Sequence, residues 1–127
     1  MQKNLYLLDN TFLSDYENER KARTAGPAVA FARRHANCEL KVSVVTIAEF
    51  YERFGRAATV DVTGIHTVQG LHLADALKCG EIQTRLAAKR LGENDAWLAA
   101  QAIRSGATLV TRDKRFKDVH GLSVAYY

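Results

Sequence analysis

The sequence contains little cysteine, little proline and no long apolar run, and each scarcity argues against a class of protein. Of its 127 residues, two are cysteine and one is proline. Cys38 and Cys79 lack CxxC spacing, so we expect reduced thiols rather than a disulfide or a metal-binding pair. No apolar run approaches the roughly 20 residues that span a membrane, and the first residues lack a signal-peptide pattern. We therefore expect a cytoplasmic protein with no membrane partner.

The composition is that of a folded domain. Hydrophobic residues make up 47% of the chain and charged residues 25%, which is typical of a globular protein with a core. A length of 127 residues suits one core, and we find no repeat or linker, so we predict a single domain over residues 1–127. The net charge of +4 is compatible with an anionic partner such as nucleic acid.

Short apolar runs alternate with helical patterns along the chain. The runs predict strands at 5–8, 40–45, 58–62, 107–111 and 122–125. Helices are predicted at 12–16, at 28–36, from Thr46 to about Gly55, at 68–91 with a break near Gly80, and at 96–104 after an Asn94 N-cap. The charged segment 17–23 is expected to face solvent. Alternation of this kind predicts an α/β fold with a mostly parallel sheet and helices on both faces.

Four acidic residues occupy equivalent places in this predicted fold. Asp9 and Asp113 each follow a strand, whereas Glu49 and Asp95 each lie in the first turn of a helix. In a parallel α/β fold, strand ends and helix starts share one edge of the sheet, where ligands bind. The element lengths agree, because the helix from Asp95 runs about 15 Å and the following strand returns about 17 Å. We therefore predict that the four carboxylates converge.

Each acid also has a simpler interpretation. Glu49 could be the acidic partner in a capping box with Thr46, and Asp95 could complement the helix dipole. The other two acids could be ordinary turn residues. These interpretations explain each acid alone but not why all four reach one edge.

A cluster of four carboxylates needs a counter-charge. Two carboxylates about 4 Å apart repel by roughly 4 kcal/mol at an effective dielectric constant near 20. Oxygen ligands select hard cations such as Mg²⁺, or Mn²⁺ as a substitute, and no histidine or cysteine shows zinc-like spacing. Mg²⁺ held by carboxylates commonly binds phosphate and can activate water for in-line displacement. The pattern therefore indicates phosphodiester hydrolysis.

Five short motifs occur in the order and spacing of a known family. They read LYLLDNT, VSVVTIAEF, NDAWLAAQA, ATLVTRDKRF and GLSV. Together they resemble PIN-domain ribonucleases, most closely the toxins of the virulence-associated protein C type from bacterial toxin–antitoxin pairs. The resemblance implies an α/β/α sandwich, Mg²⁺-dependent cleavage of RNA, a homodimer and an antitoxin partner. It implies a catalytic metal site formed by Asp9, Glu49, Asp95 and Asp113, supported by Thr11 and Asn10.

The chain departs from the family pattern at two places. The family often has Asp-Thr-Asn after the first strand, whereas this chain has Asp9, Asn10 and Thr11. Many members carry a further acid two residues after the last one, and here that position is Arg115, with Asp118 as a candidate substitute. Two alternatives therefore stay open: a PIN-like RNA-binding or regulatory module with weak or no catalysis, and a related nuclease acting on DNA or in RNA processing.

Basic and aromatic side chains near the acids are candidates for RNA contacts. Four basic residues surround the last acid: Arg112, Lys114, Arg115 and Lys117. They either bind phosphates or form a solvated charged face. Trp97 and Phe116 either stack on unpaired bases or pack within the protein.

Overall fold

The computed structural model describes residues 4–127, in which strands and helices alternate. The strands are β1 (Leu5–Leu8), β2 (Glu39–Ser43), β3 (Thr67–Gln69), β4 (Thr108–Thr111) and β5 (Ser123–Tyr126). The α-helices are α1 (Asn10–Ala22), α2 (Pro27–Arg34), α3 (Val44–Ile65), α4 (Leu73–Leu86) and α5 (Glu93–Ser105). Short 3-10 turns, Ala87–Lys89 and Lys114–Asp118, follow α4 and β4.

The strands form one parallel sheet in the order β3-β2-β1-β4-β5. Leu8 at the end of the central strand β1 is aligned with Val42 on β2 and with Val110 on β4. Since all strands run the same way, their carboxyl ends meet at one edge. The strand order reverses between β1 and β4, which is where open α/β sheets bind ligands. The predicted parallel sheet is confirmed.

A separate apolar core lies on each face of the sheet, because successive strand residues point to opposite sides. Leu7 and Leu109 pack against α4 and α5, where they meet Leu98 and several alanines. Leu8 and Val110 face the other way, toward a second core that contains phenylalanines from α1, α2 and α3. Helices thus cover both faces, and the expected three-layer α/β/α arrangement is confirmed.

The predicted strand at residues 58–62 is wrong. These residues belong to α3, which continues past a kink at Gly55, where φ is 83°. Thr59 is buried, and Ala58 and Val62 pack against the second core. Helical packing therefore overrides the strand preference of these β-branched residues. The third strand is instead β3, a short edge strand at the start of the region predicted to be helical.

Two predicted helix starts are also displaced. Ser43 caps α3 through its own hydroxyl, so the predicted capping box is wrong and Glu49 lies in the second turn of the helix. Gly92, rather than Asn94, is the N-cap of α5. Asp95 nevertheless stays in the first turn of α5, as predicted.

The charged segment 17–23 is mostly exposed, as predicted, but it is helical. It forms the second half of α1, which extends to Ala22, and Glu17 is buried and pairs with Arg20 at 2.8 Å. Long charged side chains can form ion pairs with one another, as Glu17 and Arg20 do. A charged run therefore does not exclude a helix that packs against the core. Gly80 likewise lies inside α4 without breaking it.

The start of α2 is capped by a side chain from α1. The Glu19 carboxylate accepts hydrogen bonds from the backbone N–H groups of Gly26, Ala28 and Val29 at 2.7, 3.1 and 2.9 Å. A carboxylate at this end of a helix satisfies free donors and complements the dipole. This contact joins the first two helices.

Neither a membrane helix nor a disulfide is found in residues 4–127. No helix there is long and apolar enough to cross a membrane. Cys38 and Cys79 are free and half-buried.

Candidate active site

The carboxyl edge of the sheet gathers the four predicted acids around the switch in strand order. Asp9 follows β1, and its backbone N–H donates to Val110 O at 3.2 Å, which extends the β1–β4 pairing by one residue. Asp113 follows β4, Asp95 lies in the first turn of α5 and Glu49 in the second turn of α3. The fold thus brings together residues that are more than a hundred positions apart in the chain.

Asp9 is a buried carboxylate held in a fixed orientation. Only 4% of its surface is exposed. Its Oδ1 accepts hydrogen bonds from Thr11 Oγ1 at 2.7 Å and from the backbone N–H of Phe12 at 2.8 Å, so Asp9 also caps α1. Burial raises its pKa, while hydrogen bonds from Thr111, Phe12 and Thr11 oppose the rise and the charge of Asp95 adds to it.

Glu49 and Asp95 line one open cleft, together with Gly92 and Asn94. Burial raises the pKa of Glu49, and the nearby charge of Asp95 raises it further. The Asn94 side chain opposes this rise, and the charge of Asp9 adds to it. Glu49 is therefore in electrostatic contact with two of the other acids, although it comes from a different helix.

Arg115 contacts the remaining pair of acids. Its Nη2 lies 2.6 Å from Asp113 Oδ2 and 3.5 Å from Asp95 Oδ2. Burial raises the pKa of Asp95, Arg115 opposes the rise and Asp113 adds to it. Hydrogen bonds from Arg115 hold the pKa of Asp113 below its usual range. One guanidinium thus reaches both aspartates. This agrees with the lengths of α5 and β4, which return Asp95 and Asp113 to the same level.

The four carboxylates suit a hard divalent cation for two reasons. They are oxygen donors, and a positive charge would relieve the repulsion between them. The charge of Asp95 raises the pKa of Asp9 and of Glu49, and the charge of Asp113 raises that of Asp95. Oxygen donors of this kind suit Mg²⁺ or Mn²⁺. As the side chains stand, no three His, Cys, Asp or Glu residues between 4 and 127 lie close enough to hold a metal ion. A cation would have to draw the carboxylates together and compete with Arg115.

The predicted supporting residues differ in their contacts. The Thr11 hydroxyl donates directly to Asp9, as described above. Asn10 is half-buried, and its Oδ1 finds no hydrogen-bond partner among the described residues. Asn10 is therefore an uncommitted oxygen acceptor in the chain position next to Asp9.

The four basic residues predicted to contact RNA have different surroundings. Arg112 Nε lies 3.0 Å from Asp15 Oδ2, and Lys114 Nζ lies 4.5 Å from the centroid of a tyrosine ring. Lys117 is exposed. Arg115 alone of the four contacts the acids. Its position inside the acidic cluster could not be read from its place in a basic run.

Two other candidates lie outside the cluster. Phe116 is 1% exposed and belongs to the first core, so base stacking by this residue is excluded. Trp97 is half-buried on α5. Asp118 lines a different cavity with Lys78 and His120, and it does not replace the acid that is absent at position 115.

Two contacts at the site were not predicted. Thr111 is buried at the end of β4. Its hydroxyl accepts a hydrogen bond from the backbone N–H of Asp113 at 3.0 Å and favours the charged form of Asp9. A polar residue ending an apolar run was the available signal. In addition, Tyr127 Oη donates to Asp15 Oδ2 at 2.7 Å. No sequence signal marks this contact, because the two residues are 112 positions apart.

Comparison with known proteins agrees with this architecture. The model of the PIN domain matches residues 6–122. VapBC2 from Rickettsia felis, solved bound to a DNA fragment from its promoter, has a TM-score of 0.82 at 21% identity, covering 97% of this chain and 98% of that chain. VapBC-1 from nontypeable Haemophilus influenzae has a TM-score of 0.71 at 23% identity, with 96% and 97% covered.

A third solved structure is VapC20 from Mycobacterium tuberculosis, described as a sarcin–ricin loop cleaving toxin. Its TM-score is 0.65 at 16% identity, with 93% of this chain and 98% of that chain covered. A search of curated proteins gave no match. At these identities the structural likenesses establish the fold.

Proposed function

Because the chain belongs to the PIN domain family, we propose that it is a Mg²⁺-dependent endoribonuclease and the toxin of a type II toxin–antitoxin pair. The observation that carries the proposal is the meeting of Asp9, Glu49, Asp95 and Asp113 at one edge of the sheet. VapC20, which shares the fold, is described as cleaving the sarcin–ricin loop, and this supports RNA as the substrate. Other chains of this fold were solved as VapBC complexes, which supports a cognate antitoxin as partner.

The four acids are assigned to cation binding. When bound there, Mg²⁺, or Mn²⁺ in its place, supplies Lewis-acid stabilisation of the phosphoryl oxygens and lowers the pKa of a water. Carboxylates are suited to this role because an all-oxygen site favours hard cations. Asp9 and Asp95 are expected to matter most, since Asp9 is fixed by two hydrogen bonds and Asp95 influences the charge state of two other acids.

The remaining groups of the site orient the acids and the substrate. Thr11 and the Phe12 N–H keep Asp9 Oδ1 from rotating, and a fixed ligand loses less freedom when the cation binds. Arg112, Lys114 and Lys117 are exposed and are assigned to phosphate contacts, which give affinity without sequence preference. We place the substrate strand in the open cleft that Glu49 of α3 and Asp95 of α5 line.

The setting of this activity is a further part of the proposal. We propose a cytoplasmic protein that forms a homodimer and is neutralised by its antitoxin. Growth arrest on expression, relieved by co-expression of the product of a neighbouring gene, is the expected behaviour. Arrest that needs intact Asp95 would connect the growth effect to the acidic site.

The test of the proposed function is cleavage of a structured RNA with single-stranded loops, in Mg²⁺ and in EDTA. We expect cleavage by the wild type in Mg²⁺ alone, with 5′-phosphate and 3′-hydroxyl products. Asp95→Asn is expected to lose cleavage by at least about a hundredfold, because it removes one charge from the site with little change in shape.

Asp118→Asn is the matched control, since it removes the same charge from an exposed aspartate outside the cluster. Its cleavage rate is expected to equal that of the wild type. Equal rates for the wild type and Asp95→Asn would overturn the assignment. Metal-independent cleavage that leaves 2′,3′-cyclic phosphates would overturn the metal-assisted mechanism.

A second candidate function is an RNA-binding module without catalysis. The observation in its favour is Arg115, which neutralises two of the acids without any metal. This candidate predicts RNA binding that is unaffected by EDTA, and a melting temperature that does not respond to Mg²⁺. The nuclease predicts a rise in melting temperature with Mg²⁺, because a ligand of the folded state stabilises it by RT ln(1 + [L]/Kd).

A further inference from the structure

The guanidinium of Arg115 stands among the carboxylates assigned to the cation. It contacts the Asp113 carboxylate through Nε, at 3.1 Å to Oδ1 and 3.0 Å to Oδ2, and through Nη2, at 2.6 Å to Oδ2. The same Nη2 lies 3.5 Å from Asp95 Oδ2. A positive group thus contacts two carboxylates that come from a helix start and a strand end.

This contact engages both oxygens of Asp113. Its Oδ1 also accepts a hydrogen bond from the backbone N–H of Arg115 at 2.9 Å, so this carboxylate receives donors from the backbone and from the side chain of one residue. Guanidinium–carboxylate pairs of this forked geometry are among the stronger polar contacts. A divalent cation can use Asp113 fully only if the guanidinium gives way.

The guanidinium can also move away from the two carboxylates. The Arg115 side chain is 67% exposed, and exposed ion pairs contribute little net stability. Its backbone lies in the turn Lys114–Asp118 directly after Asp113, so a change of side-chain rotamer can move the charge into solvent without moving the strand. The contact can therefore be reversed without unfolding any element.

The other basic residues near this turn do not form ion pairs with the four acids. Within residues 4–127, Arg115 is the one basic residue that forms an ion pair with any of the four acids. Arg112 is paired with Asp15, and Lys114 lies over an aromatic ring. The contact between a basic group and the acids therefore belongs to one side chain, and its effect can be tested by single substitutions.

From these contacts we infer that Arg115 is a built-in competitor of the divalent cation: its guanidinium occupies the Asp95–Asp113 pair in the metal-free protein and is displaced when the cation binds. This inference rests on the proposed cation site. It assigns to position 115 a role opposite to that of a further acid, because the arginine weakens cation binding where an acid would strengthen it. The protein then needs more Mg²⁺ to fill its site than the four acids alone would require.

The experiment is isothermal titration calorimetry of Mg²⁺ and, separately, Mn²⁺ into the RNA-free full chain. Arg115→Gln is expected to bind either ion about two- to tenfold more tightly than the wild type, because it removes an exposed but forked ion pair. Arg115→Lys should lie between them, since a lysine keeps the charge without the fork. Arg33→Gln, at an exposed arginine on α2, is the matched control for net charge, and its cation affinity should stay within about twofold of the wild type.

A second readout follows the side chain itself. The Nε–H signal of Arg115 in a ¹H–¹⁵N spectrum, assigned by its loss in Arg115→Gln, should shift on Mg²⁺ titration with the same midpoint as the calorimetric curve. A purely structural contact would leave this signal unchanged while the cation binds.

The outcomes separate this inference from the proposed function. Tighter cation binding in Arg115→Gln but not in Arg33→Gln supports the competitor. Binding that is unchanged or weaker in Arg115→Gln overturns it and leaves the cation site standing. If neither the wild type nor Arg115→Gln binds either ion, both the inference and the proposed cation site are overturned.

Discussion

Replacing Asp9 by asparagine is expected to stabilise the metal-free protein while removing its response to Mg²⁺. Asp9 is buried and keeps a charge near Asp95. Burial of this charge is the larger penalty, on the order of several kcal/mol for a carboxylate taken out of water, and repulsion by Asp95 is a smaller one. Asparagine removes this repulsion and the burial of a charge, and it caps helices about as well as aspartate. After the loss of charge-assisted hydrogen bonds, we expect Asp9→Asn to gain about 1–2 kcal/mol of unfolding free energy in EDTA.

Asp9→Ala separates the two roles of this side chain. Alanine also removes the acceptor for the Phe12 N–H and the Thr11 hydroxyl. Loss of a helix cap costs about 1 kcal/mol, and a hydroxyl left without its partner costs about as much. The unfolding free energy of Asp9→Ala should therefore be about 2 kcal/mol lower than that of Asp9→Asn, as measured by urea denaturation in EDTA at neutral pH.

The pH dependence of stability shows whether the fold favours the charged or the protonated form of Asp9. The pKa of Asp9 in the folded protein is raised above its ordinary value of 3.8, so the fold favours the protonated form. As the pH falls through the raised value toward 3.8, the folded wild type takes up a proton before the unfolded chain does, and its stability relative to Asp9→Asn rises. If the wild type is instead more stable than Asp9→Asn at neutral pH in EDTA, and loses that advantage in acid, the carboxylate is stabilised by the fold and this reasoning is refuted.

The remaining predictions concern the scaffold that positions the site. Glu19→Ala should lose about 1–3 kcal/mol in urea denaturation because three backbone donors of α2 lose their acceptor; Glu19→Gln should recover part of it, and wild-type stability of Glu19→Ala would exclude the cap. Gly106→Ala should lose about 1–2 kcal/mol, since φ is 70° there. Gly80→Ala should gain about 0.5–1 kcal/mol because an added Cβ meets nothing within 4 Å inside α4; equal thermal shifts for the two variants would contradict this account.

The parts of the fold that could be predicted are those with a strong local pattern. The apolar runs at β1 and β4 each end in polar residues, and their parallel pairing follows from the helices between them. The convergence of Asp9 and Asp113 needs only that pairing, because both follow the ends of adjacent strands. Asp95 joins them because α5 and β4 have nearly equal lengths.

The errors arise where packing decides between similar local preferences. Residues 58–62 carry β-branched side chains, but Thr59 and its neighbours are buried as one side of a helix. The edge strand β3 has three residues, too few for a period to be recognised. Gly92 replaces Asn94 as N-cap of α5 because the chain enters the helix two residues earlier than the side-chain preference indicates.

The position of Arg115 shows a different limit. A basic run predicts charge but does not predict where each long side chain points, because lysine and arginine have many rotamers of similar energy. Arg112 contacts Asp15 on α1, whereas Arg115 turns toward Asp95 on α5. Two neighbouring arginines thus have different partners, and only the folded arrangement distinguishes them.

The most direct measurement for the four-carboxylate cation site is a crystal structure of the protein with Mn²⁺, using the anomalous scattering of the metal to locate it. The account predicts an anomalous peak about 2.1 Å from oxygens of at least two of the four acids, with Asp9 and Asp95 among the residues around it and the Arg115 guanidinium moved away. A fully soaked crystal with no peak there, and with Arg115 still on Asp95 and Asp113, would contradict it.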